Sequence, residues 1–312
     1  MTVDIDKYSG FCAGVIKAIS TAEKYLDQQE SNGKLYSLGS IVHNESELHR
    51  LENKGLVTID REDLDEMGSV CGEHLLIRAH GEPPVTYAKA EAKGFKIIDC
   101  TCPVVLALQK QIREAYEMLN RDKRPGKIII FGKIGHAEVM GLIGQVDSNA
   151  LIVENIEMLE AAIAEHRIDL TGRVEVFSQT TKSPAEYAAI CARLEELMAK
   201  ENELTVEHFK GKGLLNVHNT ICSQVAMRHE RLSKFALEHD VIIFVSGKSS
   251  SNGKVLSELC KSLNIRTYHI SSSNEISEVW FREDDKVGVC GATSTPKWLL
   301  EEVANTIKAI KH

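Results

Sequence analysis

Short β-branched runs alternate along this chain with longer stretches of helical period. The runs IIIFG (128–132), VEVFSQ (174–179), VIIFVSG (241–247) and VGVCG (287–291) lack the in-out alternation of a sheet with one wet face. Such strands are buried on both faces, so the pattern predicts parallel sheets covered by helices, an α/β fold. Between them, apolar residues recur at helical spacing: Val15, Ile19, Ala22 and Leu26, then Val105, Leu108, Ile112, Ala115 and Leu119. A weaker stripe holds Val225, Leu232 and Phe235. Each stripe begins just after a cysteine, Cys12, Cys102 or Cys222, and Pro103 stands where a first-turn proline belongs.

These three helices head three copies of one pattern. Each is followed by two expected strand ends that carry histidine or small polar residues. The first pair is IVHN (His43) and IRAHG (His80), and the second is GHAE (His136, Glu138) and SQTT (Thr180, Thr181). The third is SGKSSSN (Ser250, Ser251, Asn252) and GATSTP (Ser294). The spacings are similar, 28 to 34 residues from cysteine to first motif and 37 to 44 from first motif to second, as for one unit used three times. The expected units are 13–100, 101–218 and 219–312, joined by an N-terminal segment 1–12. If each is a small parallel sheet, the carboxyl ends of its strands form the binding edge. Three units about a pseudo-threefold axis would then aim three cysteines and six polar loops at one centre.

Length and composition fit this picture. The chain has 312 residues, 43% hydrophobic and 26% charged, ordinary for globular domains and unlike disordered or fibrous chains. The formal charge of −8 provides no general field for nucleic acid or an anionic membrane, so any anion site is local. No apolar run approaches the length of about twenty residues that a membrane span needs, and the N-terminus carries no apolar signal region. The expectation is a cytoplasmic protein that contacts neither membrane nor nucleic acid.

The eight cysteines, scattered and without a secretory signal, read as thiols, metal ligands or catalysts more readily than as a disulfide framework. Thiolates at three helix starts suit a soft metal centre, because helix N-termini stabilise the anion. Four cysteines would complete a [4Fe-4S] cluster, whereas three leave one iron open. Cys71, Cys191, Cys260 and Cys290 read as small buried hydrophobes. Cys100 is a rival to Cys102, which is preferred for its place at the helix start. Histidines beside Ser, Thr and Asn at strand ends suit a phosphate or diphosphate, although each is also an ordinary loop residue and SGKSSSN an ordinary turn. The Gly-Lys-Ser segment lacks P-loop spacing. Glu138, expected in a loop facing the centre, would have its pKa raised by partial burial and could deliver a proton; the alternative is a surface carboxylate.

Nine segments in order, GFCAGV, VHN, AHG, TCP, GHAEV, QTT, NTIC, SSN and STP, carry a resemblance over essentially the whole chain. The chain resembles the LytB-type 4-hydroxy-3-methylbut-2-enyl diphosphate reductases of the methylerythritol phosphate route to isoprenoids. The resemblance implies a trefoil of three α/β units around one [4Fe-4S] cluster held by Cys12, Cys102 and Cys222. It assigns diphosphate and substrate contacts to His43, His80, His136, Thr180, Ser250, Ser251, Asn252 and Ser294, with Thr181 adjacent. It makes Glu138 the proton donor, with Thr180 relaying or orienting the proton. The implied reaction takes two electrons and two protons, removes an allylic hydroxyl and yields isopentenyl and dimethylallyl diphosphate. A ferredoxin- or flavodoxin-type protein is the implied electron donor. Cys100, Ala137 and the GATSTP turn depart from the family pattern without touching an expected ligand or the glutamate. The rival readings are a cluster-dependent hydro-lyase, which consumes no electrons, and an electron carrier or redox sensor, which needs no diphosphate site.

Overall fold

The computed structural model describes residues 1–28, 34–70, 72–121 and 126–310. The first third runs β1 (Thr2–Ile5), α1 (Ala13–Gln28), β2 (Leu35–Leu38), α2 (Glu45–Glu52), β3 (Leu56–Ile59), α3 (Arg61–Glu66), β4 (His74–Ile77), α4 (Pro84–Ala92) and β5 (Lys96–Asp99). The middle third runs α5 (Pro103–Arg121), β6 (Gly126–Phe131), α6 (Ala137–Ile143), β7 (Ala150–Val153), α7 (Ile156–Ala164), β8 (Arg173–Ser178), α8 (Pro184–Glu201), α9 (Val206–Phe209) and β9 (Leu215–Val217). The last third runs α10 (Ser223–Leu237), β10 (Val241–Val245), α11 (Ser251–Leu263), β11 (Thr267–Ile270), β12 (Lys286–Gly291) and α12 (Lys297–Lys308).

The twelve strands form three four-stranded sheets, and every pairing is parallel. Their orders are β3-β2-β4-β5, β7-β6-β8-β9 and β11-β10-β12-β1. In each sheet the unit's first strand lies between its second and third. Among the described residues the third repeat supplies no fourth strand, and β1 from the N-terminal segment takes that edge beside β12. The repeated pattern of the sequence is thus a repeated topology, and α1, α5 and α10 each begin one residue after their cysteine.

Compactness divides the described residues into two units. One holds the first and third sheets (Met1–Ala79, Ala90–Thr101 and Ser223–His312), the other the second sheet (His80–Lys89 and Cys102–Cys222). The central strands are covered on both faces. In β6, Ile129 and Phe131 pack with Val174, Val176 and α8, whereas Ile128 and Ile130 pack with Leu108 and Ile112 of α5. Alternate residues point to opposite faces of a strand, which is why a continuous apolar run is required there. β10 repeats this, with Val241, Ile243 and Val245 on the α12 side and Ile242 and Phe244 on the α10 and α11 side.

The helical stripes sit as expected: Val105, Leu108, Ile112, Ala115 and Leu119 are all buried. In α10 the buried residues are Val225, Leu232 and Ala236, with Phe235 only partly covered. One difference concerns IVHN. β2 ends at Leu38, so Ile41 and Val42 are buried loop residues that anchor the turn into α2. Their burial in the core lets them resemble a strand in sequence.

Candidate functional site

In each sheet the first and third strands run side by side; in the first and second sheets their connections leave toward opposite edges, and in the third β10 connects to the β11 edge while β12 is followed by α12 alone. At such a switch point the loops beyond the strand carboxyl ends diverge and leave room for a ligand. The residues expected from sequence follow those two strands in every repeat: His43 after β2 and His80 after β4, His136 and Glu138 after β6 and Thr180 after β8, Ser250 to Asn252 after β10 and Ser294 after β12.

In the unit that holds the first and third sheets, a line of hydrogen bonds joins a cysteine to the polar loops. Cys12 N–H donates to the Thr293 carbonyl at 3.1 Å. Thr293 in turn donates through N–H (3.3 Å) and hydroxyl (3.0 Å) to Oδ1 of Asn252. Asn252 is 4% exposed, and with its oxygen engaged its Nδ2 is a buried donor without a partner among the described residues. Such a group is costly unless something accepts from it. Ser250 caps α11 by accepting from Gly253 N–H at 3.0 Å, and its hydroxyl lies 3.2 Å from that of Ser294. Ser251 opens the helix and is half-buried. Unpaired N–H groups of the first turn and the helix dipole favour an anion at this end.

His43 is held in place by its backbone. A Cβ on Gly247 would lie 2.3 Å from the His43 carbonyl oxygen, so the loop after β10 approaches the His43 loop as only glycine allows. Asn44 next to it is buried and caps α2, accepting from Glu47 N–H at 3.0 Å.

In the other unit Thr180 is the junction. Its carbonyl accepts from Cys222 N–H at 3.0 Å, while its N–H and hydroxyl donate to Glu138 Oε1 and Oε2 at 2.7 and 2.9 Å. Glu138 N–H donates to His136 Nδ1 at 3.2 Å, and the His136 ring meets His80 edge to face with centroids 5.2 Å apart. Thr181 accepts from the buried Gln179 amide, whose oxygen accepts from Lys133 N–H. Cys102 stands half-buried at the head of α5.

Glu138 corrects the sequence expectation in two ways. It lies in the first turn of α6, not in a loop, and it is 1% exposed, so it is neither partly buried nor on the surface. Burial pushes its pKa up to about 7, against the two Thr180 hydrogen bonds, which favour the ionised form. The group therefore exchanges a proton near neutrality.

The cysteines also separate by environment. Among the described residues no disulfide forms. Cys12, Cys102 and Cys222 are all partly exposed, whereas Cys100 is buried among Ala18, Ala22 and Leu76, and that burial raises its thiol pKa despite a hydrogen bond with Thr21. Cys260 and Cys290 are core residues, Cys191 packs partly buried against the core of the second sheet, and Cys71 lies outside the described residues. Sequence reasoning missed Thr293, the link between Cys12 and Asn252. It also passed over Asn44, although an asparagine three residues before a glutamate at a helix start is a legible cap signal.

The family profile described as LytB protein matches residues 3–308. A 4-hydroxy-3-methylbut-2-enyl diphosphate reductase of Parabacteroides distasonis is 46% identical over 99% of this chain and 98% of its own length. One from Bacteroides fragilis is 44% identical over 98% and 97%. Among solved structures, an (E)-4-hydroxy-3-methyl-but-2-enyl diphosphate reductase, described as the terminal enzyme of the non-mevalonate pathway, aligns with a TM-score of 0.65 and 32% identity over 99% of this chain and all of its own. The Plasmodium falciparum E-1-hydroxy-2-methyl-but-2-enyl-4-diphosphate reductase aligns with a TM-score of 0.81 over 97% of this chain and 87% of its own; at 24% identity that likeness bears on the fold alone.

Proposed function

The chain belongs to the LytB family, and from that premise we propose that it reduces 4-hydroxy-3-methylbut-2-enyl diphosphate, the last step of the non-mevalonate route to isoprenoids. Two electrons and two protons are consumed. One proton leaves with the allylic hydroxyl as water, and the other ends on a carbon of isopentenyl or dimethylallyl diphosphate.

The observation that carries this reading is the buried pair Glu138–Thr180. Hydroxide is a poor leaving group, and a general acid serves best with a pKa near the working pH. Glu138, held near 7 by burial, meets that requirement. Thr180 fixes both carboxylate oxygens, and its hydroxyl is placed to pass the proton on. The amide of Asn252, the serines of the α11 cap with Ser294, and His43 supply donors for a diphosphate; His136, which accepts from Glu138 N–H, and His80, whose ring meets that of His136, are further substrate contacts.

Cys12, Cys102 and Cys222 fit a [4Fe-4S] cluster by donor chemistry, being partly exposed thiols each one residue before a helix; Cys100, enclosed in a core, does not. When bound with three thiolates, the cluster supplies single electrons and one iron open to the substrate hydroxyl. The protein's own part is to bind the diphosphate, hold the allylic end and deliver the proton. The electrons come from a ferredoxin- or flavodoxin-type donor. The compartment that goes with this reading is the cytoplasm; among the described residues no helix is long and apolar enough to cross a membrane.

The test is anaerobic reconstitution, with iron and sulfide analysis and a reductant-coupled assay on the allylic diphosphate. Electron consumption matched to formation of the two diphosphate products is expected. Conversion without electron consumption would move the chain to the hydro-lyases, and a fully loaded protein inert toward the substrate would sink the reading.

A further inference from the structure

The turn that precedes Cys12 is held from two sides. On the sheet side, Ser9 donates to Asp6 at 2.7 Å and accepts from Gly291 N–H at 2.9 Å, and Cys12 N–H reaches Thr293. On the helix side, Arg228 of α10 donates from Nη1 to the Gly10 carbonyl at 3.0 Å and from Nη2 to the Tyr8 carbonyl at 2.7 Å. Gly10 has a φ of 124°, so the chain reverses there in a conformation closed to other residues. Such a turn has many alternatives when untethered. The helix that begins one residue after Cys222 thus reaches back to the turn that presents Cys12.

The guanidinium is also an electrostatic neighbour of the thiol. Arg228 is partly buried, and Cys12, Asp6 and Cys290 are all close enough to act on its charge. Arg231, one helical turn on, stacks over the Tyr8 ring at 4.0 Å, leaving Arg228 as the cation bound to the backbone of the turn. Lysine would keep the charge but cannot offer the planar fork to two carbonyls at once.

We propose that Arg228 is a positioning residue for Cys12: its two-pronged hydrogen bond locks the turn that presents the thiol, and its positive charge, held on the Gly10 carbonyl two residues before Cys12, favours electron uptake by a centre ligated there. The second half rests on the cluster reading above; the first does not. The two halves therefore have separate measurements.

In the cluster-free protein, Arg228→Gln and Arg228→Lys are compared with wild type by amide hydrogen exchange over residues 7–13, with the start of α5 after Cys102 as internal control. Loss of hydrogen bonds to a charged group should speed exchange in the turn about tenfold or more in Arg228→Gln, with little change at α5. Unchanged exchange in the turn would overturn the clamp. Should Arg228→Gln fail to fold, Arg228→Lys still reads it, because it loses the fork while keeping the charge. In the reconstituted protein, the rate of iron loss to a chelator should rise about tenfold in Arg228→Gln. The midpoint potential should move to more negative values in Arg228→Gln and stay near wild type in Arg228→Lys, since only the former removes the charge. Equal potentials in all three loaded proteins would overturn the electrostatic half. A wild-type chain that takes up no iron and sulfide overturns that half together with the cluster reading, while the exchange result stands alone.

Discussion

Thr180 donates to both oxygens of Glu138, through its N–H to one and its hydroxyl to the other, at 2.7 and 2.9 Å. The carboxyl group is therefore fixed in rotation as well as position. The same residue accepts from Cys222 N–H, so Glu138 and the Cys222 segment are tied to one backbone position.

Glu138→Gln keeps shape and reach, because an amide oxygen can still accept from Thr180 N–H while the amide nitrogen donates to its hydroxyl. Substrate binding and iron content should survive, and kcat should fall about 10²- to 10⁴-fold. Single-turnover and steady-state assays check this. Retention of kcat within a few-fold would place the proton source elsewhere.

The pH dependence has a definite sign. A general acid works only while protonated, so kcat should decline as pH rises through about 7, the value to which burial pushes Glu138. Stability should follow the same direction. The folded state holds this proton more tightly than the unfolded one, so the contribution is fully present below pH 4.5 and is lost as pH rises to about 7. Chemical denaturation of the cluster-free protein across that window should show a loss of about 3 kcal/mol from this group, absent in Glu138→Gln.

Thr180→Val removes the hydroxyl bond that favours ionised Glu138, so the alkaline limb of kcat should move to higher pH while the maximum falls. Thr180→Ser should leave both nearly unchanged. A Val variant whose limb moves to lower pH would contradict the assigned direction of the bond.

Replacing Cys12, Cys102 or Cys222 by serine should abolish iron retention, measured as iron and sulfide per chain after anaerobic reconstitution. Cys100→Ser should retain iron and lose stability, because its side chain is buried in a core. Iron lost in Cys100→Ser and kept in Cys102→Ser would reverse the assignment.

Asn252→Ala should weaken substrate binding about 10- to 150-fold, the value of a hydrogen bond to a charged group. Gly247→Ala should act at a distance from any ligand. Its Cβ would meet the His43 carbonyl at 2.3 Å, a backbone atom that moves only with its loop. A loss of about 1–3 kcal/mol in stability, with weaker substrate binding through displaced His43, is expected by denaturation and titration.

The amino-acid sequence determined the elements and their repetition. Runs such as VIIFV can be strands only where both faces are covered, and the stripes behind Cys12 and Cys102 place helices one residue after the thiol, because period and proline position are local properties. It also determined which strand ends carry polar chemistry, since the motifs recur after the first and third strands of each repeat. What it left open depended on packing between segments far apart in the chain. Cys100 and Cys102 are two residues apart and alike in sequence, yet one lies in a core and the other at a helix start. Glu138 read equally as a surface carboxylate, because the burial that raises its pKa, against the hydrogen bonds from Thr180, is made by segments far apart in the chain, Thr180 itself lying 42 residues on. The roles of Thr293 and Arg228 leave no local signature, since a backbone carbonyl and a guanidinium acquire meaning only from the partner that folding brings to them. Local geometry follows from side-chain shape and spacing; solvation and partner choice follow from long-range contacts, and those only the tertiary structure decided.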